Sequence, residues 1–202
     1  MTRSRTVRKL LVPASIALAG FGLTPTASSA TAPPTTEPTH GHESSGDLTA
    51  EQQVEIFRAT ARFHDVDAAI AAGYVEAPIE ACVEVDGYGG MGLHYANLAL
   101  ATDGVIDPAV PEVLIYAPTA DGGVELVAVE YAQIDADQDL ATADDRPELF
   151  GHPFDGPMDE SSPAHSLSAS PVPVHYDLHV WLYRENPDGM LAAFNPDVTC
   201  TV

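Results

Sequence analysis

The segment EVLIYAPTADGGVELVAVEYA, residues 112–132, has the clearest β-hairpin pattern of this chain. Two runs rich in β-branched and aromatic residues, 112–117 and 124–132, flank an Asp-Gly-Gly turn at residues 121–123. Such residues favour strands, and an Asp-Gly turn between two such runs is typical of a β-hairpin. The sequence therefore predicts an antiparallel hairpin here, with a sheet built around it.

Further strand patterns lie on both sides of this hairpin. The runs ACVEV (81–85) and LHYA (93–96) flank the glycine-rich DGYGGMG (86–92). On the other side, HYDLHVWLYR (175–184) alternates apolar and polar side chains, and residues 190–194 are predicted as a short last strand. Because no helix follows the glycines, they do not indicate a dinucleotide site. They indicate a tight turn, or a close approach of the backbone to a ligand or another strand.

Two helices are predicted before the sheet. Thr49 and Gln52 have the spacing of a capping box, and Val54 and Phe57 follow at helical spacing. A second short helix is predicted over residues 66–72. Their order predicts an α+β fold in which two N-terminal helices pack on a mostly antiparallel, curved sheet. Closure of that sheet toward a barrel is the alternative.

The domain organisation follows from composition. Residues 1–30 have a basic start, an apolar run and small residues ending at Ala30, which is the layout of a secretory signal peptide. Residues 31–47 are rich in Pro, Thr and Ser and are predicted to be a disordered linker. Residues 48–202 are predicted to form one α+β domain with a flexible Pro- and Asp-rich insertion over residues 134–174.

The charge excludes several kinds of partner. The chain has 8 Lys and Arg against 30 Asp and Glu, a net charge of −22. Four of the basic residues lie in the predicted signal peptide, so the mature chain would carry 4 − 30 = −26. Nucleic acids and anionic membranes need a positive surface. We therefore expect a secreted protein that binds no nucleic acid and has no stable membrane association after signal cleavage.

Cysteine usage agrees with export. Cys82 and Cys200 are the two cysteines of the chain, and an even pair in an oxidising compartment predicts a disulfide. Two free buried thiols are the alternative.

Three residues suggest a metal site. Glu130 lies on an otherwise apolar face of its predicted strand, where an acid needs a partner. His94 follows the glycine-rich run, and His179 lies on the polar face of the strand 175–184. Two imidazoles and a carboxylate suit one divalent transition metal, such as Zn, Mn, Fe or Cu. The same groups would also suit acid–base catalysis without a metal, or each could be satisfied separately by hydrogen bonds.

Other polar and aromatic residues are predicted to line the same pocket. They are Tyr95, Asn97, His152, His175 and Trp181. His152 or His175 is a candidate fourth ligand. In a strand, His175 lies about 13 Å from His179, so this pair cannot chelate one ion on its own.

A separate acidic run begins like a calcium loop. Asp135, Asp137 and Asp139 alternate, but Leu140 stands where an EF-hand has glycine and Arg146 where it has glutamate. The EF-hand interpretation therefore fails. Weak calcium binding and a solvated acidic loop remain as alternatives.

Five stretches resemble those of a group of exported bacterial proteins to which no activity is attached. They are GGMGLHYAN (89–97), PEVLIY (111–116), LVAVEY (126–131), LFG (149–151) and LHVWLYRENPDGMLAAFNPDVTC (178–200), and the resemblance extends over about residues 65–202. The motif residues that the resemblance implies are His94, Tyr95, Asn97, Glu130, His179, Trp181 and Cys200.

Three functions remain open from the sequence. The first is a domain that binds an unidentified small molecule or a metal in a pocket lined by His, Glu and Trp. The second is a metal-dependent or acid–base enzyme that uses the same residues. The third is an extracellular structural or interaction protein without such a site.

Overall fold

The computed structural model describes residues 46–77, 82–159, 161–162 and 172–201. The predicted signal peptide and residues 31–45 of the predicted linker lie outside the described residues, as does most of the serine-rich part of the insertion. Within the described ranges, no helix has the length and apolar character needed to cross a membrane.

Two helices open the described chain. Helix α1 spans Ala50–Thr60 and is followed by a 3₁₀ turn, Ala61–His64, and by α2, Val66–Ala71. The predicted capping box is confirmed, because the Thr49 and Gln52 side chains each bond the other's backbone N–H. Of the residues at helical spacing in α1, Val54 and Phe57 are 43% and 47% exposed.

The buried face of α1 lies one step around the helix. It consists of Ile56 and Thr60, which are four residues apart and therefore lie above one another on the same side. Phe63 in the 3₁₀ turn is also buried, and its carbonyl accepts a 2.6 Å hydrogen bond from the Tyr116 hydroxyl in the sheet. These contacts hold the helical segment against the sheet.

Among the described residues, nine strands follow the helices, with a short helix α3, Leu98–Ala101, between the third and fourth. They are β1 Val75–Glu76, β2 Val83–Val85, β3 Gly89–Ala96, β4 Val113–Pro118, β5 Val124–Ile134, β6 Glu148–Leu149, β7 His152–Pro153, β8 Asp155–Met158 and β9 His175–Val180.

The main sheet has the order β1-β3-β4-β5-β9-β8, and all neighbours in it are antiparallel. Strand β2 pairs with the first part of β3, whereas β6 and β7 form a separate pair. The α+β class and the β4–β5 hairpin are thus confirmed. The sheet does not close into a barrel: over the described ranges its path ends at β1 and β8, which do not pair with each other.

One further strand prediction needs correction, and the insertion has strands of its own. It contains β6, β7 and β8, and β8 pairs with β9. Leu149 and Phe154 of the insertion are buried in the core that also contains Tyr176 of β9. The predicted last strand at 190–194 is absent from the described strands, and β9 ends at Val180. The chain turns away there, and the Trp181 N–H donates to the carbonyl of Met190.

The two faces of the sheet bury different groups of side chains. The face toward the helices carries the larger core, which includes Leu114, Tyr116, Val129, Tyr131, Tyr176, Leu178 and Val180 together with Ile56 and Phe63. The opposite face carries a smaller apolar cluster of Val113, Ile115, Ala117, Val127, Ala128, Trp181 and Val198.

The C-terminal segment covers part of the second face. Gly90 of β3 forms a bridge with Asn195, and a Cβ at Gly90 would lie 2.8 Å from the carbonyl oxygen of Val198. The glycine-rich run therefore permits the close approach of another backbone segment, as one of its predicted roles required. The predicted disulfide between Cys82 and Cys200 is confirmed, with Cα atoms 5.5 Å apart.

Candidate metal centre

Three strands bring His94, Glu130 and His179 to the second face of the sheet. Glu130 on β5 pairs directly with His179 on β9. His94 lies on β3, which is separated from β5 by β4. Because opposed residues share a face, the register Val113↔Glu130 and Ile115↔His94 places all three side chains on one side.

The tips of the three side chains converge. His94 Nε2 lies 3.4 Å from Glu130 Oε2, and His179 Nε2 lies 3.7 Å from the same oxygen. One ligand atom from each residue lies within 4.8 Å of the other two. Ligand atoms around a tetrahedral zinc ion, with bonds of about 2.0–2.1 Å, are about 3.3 Å apart. A small contraction of this group would therefore allow all three atoms to bind one ion.

Small side chains beside the centre leave room for this convergence. Two strand spacings, about 9.5 Å, separate β3 from β5, so His94 and Glu130 must reach toward each other over β4. Ala96 and Ala128 lie on the same face, beside Val113 and Ile115 of β4. The alanines provide the space into which the longer side chains extend.

The centre is buried. His94, Glu130 and His179 are 3%, 5% and 1% exposed, respectively. Burial of ionisable groups beside an apolar cluster is costly unless they are paired with each other or with a cation. A carboxylate between two imidazoles can be satisfied by a proton on one imidazole or by a metal ion that all three share.

Asp177 adds a second carboxylate that the sequence did not single out as a site residue. Its Oδ1 lies 3.9 Å from His179 Nδ1, whereas His179 Nε2 faces Glu130. Both side chains are almost fully buried. A metal-binding histidine usually directs its other ring nitrogen to a carboxylate or carbonyl, which fixes the ring orientation. The two-residue spacing on β9 was the sequence signal for this position.

Of the five predicted pocket residues, Trp181 lies beside the centre. Its ring is 6.4 Å from the His179 ring and nearly parallel to it. The indole is 2% exposed, and its N–H donates to the carbonyl of Ala192. Trp181 therefore forms an apolar wall rather than a ligand.

Two of the predicted pocket residues have other places in the fold. Tyr95 follows His94 directly and so lies on the opposite face, where its ring packs against Tyr116 at 4.8 Å. Asn97 is the N-cap of α3, and its side chain accepts from the Ala99 N–H.

The two candidate fourth ligands do not join the convergent group. His152 lies on β7, outside the main sheet. His175 is the first residue of β9, and a ring nitrogen of His175 is 2.8 Å from the Pro173 carbonyl oxygen. Over the part of the chain that the structure describes, the group that could hold a metal consists of His94, Glu130 and His179.

Comparison of the chain with protein-family models, with curated proteins and with solved structures finds no match.

Proposed function

We propose that this protein binds one divalent transition-metal ion at His94, Glu130 and His179. The observation that carries the proposal is the convergence of three ligand atoms, from three strands, within 4.8 Å on a buried face. The proposal includes export of the protein to an oxidising compartment, which fits the disulfide between Cys82 and Cys200.

The ligand set suits zinc and other divalent transition metals. Imidazole suits Zn, Cu, Fe and Ni, and a single carboxylate is compatible with each of them. Two neutral imidazoles and one carboxylate supply one negative charge, and Asp177 supplies a second nearby. Together these two carboxylates balance the charge of a divalent cation in a buried setting.

The number of protein ligands also bears on function. Structural zinc sites use four protein ligands, whereas sites with three leave a position for water or another small molecule. A centre of three ligands therefore favours binding of a small exogenous ligand to the metal. The same open position supports the second candidate function, a metal-dependent enzyme in which the ion activates bound water.

Metal content and metal affinity test the proposal. Tag-free protein purified without chelator is analysed by mass spectrometry of the metals, and the apo-protein is titrated with Zn²⁺ by calorimetry. We expect about one ion per chain, with loss of binding in His94→Ala and His179→Ala. His64→Ala is the matched control, because His64 is exposed in the 3₁₀ turn and lies outside the centre. A parent protein that binds none of Zn, Mn, Fe or Cu would contradict the proposal.

A Co²⁺ titration tests the open position separately. Co²⁺ replaces zinc in such sites and reports its coordination in the visible spectrum. We expect the spectrum to change when a small anion such as azide is added. A spectrum that is insensitive to added anions would show a closed centre and would leave metal binding without the exogenous ligand.

A further inference from the structure

A second group of oxygen atoms lies in the loop that follows β5. Asp135 is 1% exposed, and its Oδ2 accepts a 3.0 Å hydrogen bond from the Asp139 N–H. Its Oδ1 is buried and has no hydrogen-bond donor among the described residues. A buried carboxylate oxygen needs a proton, a donor or a cation beside it.

The neighbour of this carboxyl group is another carboxyl group. Asp145 is held beside Asp135 through the next residue, Ala136. Its Oδ2 accepts from the Ala136 N–H and its Oδ1 from the Tyr176 hydroxyl, both at 2.9 Å. Because ionised carboxylates only accept hydrogen bonds, two of them in contact require a shared proton or a shared cation.

We propose that Asp135 and Asp145 bind a calcium ion. Both proposed ligands are hard carboxylate oxygens, and neither is an imidazole or a thiolate. This ligand type favours Ca²⁺ over transition metals. Asp137 also raises the negative potential at Asp135. The site is distinct from the metal centre, because Asp135 follows Glu130 by five residues, about 16 Å along the strand direction.

The pKa values of the two carboxyl groups shift in opposite directions. Burial, followed by the charges of Asp137 and Asp145, raises the pKa of Asp135. The hydrogen bond from the Ala136 N–H lowers the pKa of Asp145. The charged form of Asp135 is therefore the one that a nearby cation would stabilise.

The ion would join three segments. The Asp135 N–H donates to the carbonyl of Val174, and the Gln138 side chain bonds both the N–H and the carbonyl of Val174. Asp145 bonds Tyr176 of β9. Calcium between Asp135 and Asp145 would hold the start of the insertion against the end of β5 and the start of β9.

Thermal unfolding of the full chain, at constant ionic strength and with and without CaCl₂, tests the proposal. With a Kd of about 1 mM, typical of weak extracellular sites, about 10 mM Ca²⁺ should raise the Tm by about 3–6 °C. The rise should vanish in Asp135→Asn, which mimics the protonated carboxyl. Asp144→Asn is the matched control, since exposed Asp144 gives the same change of net charge outside the pair. No rise in the parent, or equal rises in both variants, would overturn the proposal.

Terbium luminescence provides a measurement that does not depend on the stability of a variant. Tb³⁺ replaces Ca²⁺ at oxygen sites and is excited through a nearby tyrosine, here Tyr176. We expect emission from the parent and from Asp144→Asn that added Ca²⁺ suppresses. Emission that is absent, or that Ca²⁺ does not suppress, would overturn the proposal.

Discussion

The buried acid Glu112 should make this protein less stable as the pH rises. Glu112 is 1% exposed, and its Oε2 accepts a 3.1 Å hydrogen bond from the Ala132 N–H. Burial, opposed by this hydrogen bond and aided by the negative charges of Asp103 and Asp107, raises the pKa of Glu112 from 4.5 to about 7. We choose Glu112→Gln as the perturbation, because glutamine keeps an acceptor oxygen for Ala132 and does not ionise.

The pKa determines the sign and size of the effect. Between pH 4.5 and about 7, the folded protein keeps a proton on Glu112 that the unfolded chain has released. The free energy of unfolding therefore falls as the pH rises through this window, and the contribution is fully present only below pH 4.5. The pKa values of Glu112 in the unfolded and folded protein differ by about 2.5. At 1.36 kcal/mol per pH unit, Glu112 therefore contributes at most about 3.4 kcal/mol to the free energy of unfolding.

Urea unfolding at about pH 5 and about pH 8, in the presence of a chelator, measures this contribution. When the pH rises from about 5 to about 8, the free energy of unfolding of the parent should fall relative to that of Glu112→Gln. The expected relative change is about 2.5 kcal/mol. Glu55→Gln, at an exposed position on α1, should show no such change. A difference in stability between Glu112→Gln and the parent that is the same at both pH values would contradict the raised pKa of Glu112.

Three other predictions concern the metal centre and the C-terminal segment. Asp177→Asn should lower zinc affinity about 10–100-fold in a calorimetric titration, because it weakens the carboxylate beside His179; unchanged affinity would exclude that role. Replacing Cys82 and Cys200 by serine should lower the free energy of unfolding in urea by about 4–5 kcal/mol, given their separation of 118 residues; a loss below about 1 kcal/mol would contradict this. Gly90→Ala should cost about 1–3 kcal/mol in the same assay, since its Cβ would meet a backbone carbonyl; an unchanged midpoint would show that the segment can move away.

Local sequence patterns predicted where the strands lie better than they predicted which strands pair with each other. The hairpin β4–β5 has strong strand formers and a turn signal within 21 residues, so its pairing could be predicted. The pairing of β5 with β9 joins segments on either side of a 40-residue insertion. Alternation predicted that Glu130 and His179 face one side of their strands, but nothing local specifies which strands become neighbours.

The strands within the insertion could not be predicted from local sequence patterns either. Strands β6 and β7 have two residues each, and β8 contains Gly156 and Pro157. Such short segments carry no periodic pattern, and Pro and Gly argue against strands in sequence. Strand β8 pairs only with β9 over the described ranges, and an edge strand tolerates both residues.

Tyr95 was placed in the predicted pocket although the sequence contained the reason to exclude it. Neighbouring residues in a strand point to opposite faces, so Tyr95 and His94 cannot both reach one site. The same rule points to Asp177, which shares a face with His179 and lies two residues before it. Applying alternation to every candidate would have removed Tyr95 from the predicted pocket.

Because the larger core and the metal centre lie on opposite faces of the sheet, residues of the centre can be substituted without disturbing that core. The larger core, with the helices and most of the tyrosines, lies on the face opposite to His94, Glu130 and His179. The smaller face is held by Val198 and Trp181 and by the disulfide near the C-terminus. Removing one imidazole from the centre leaves both sets of contacts in place, and the other imidazole remains beside the Glu130 carboxylate. Variants of the centre should therefore lose metal affinity and still fold, which allows a lost metal signal to be attributed to the ligands.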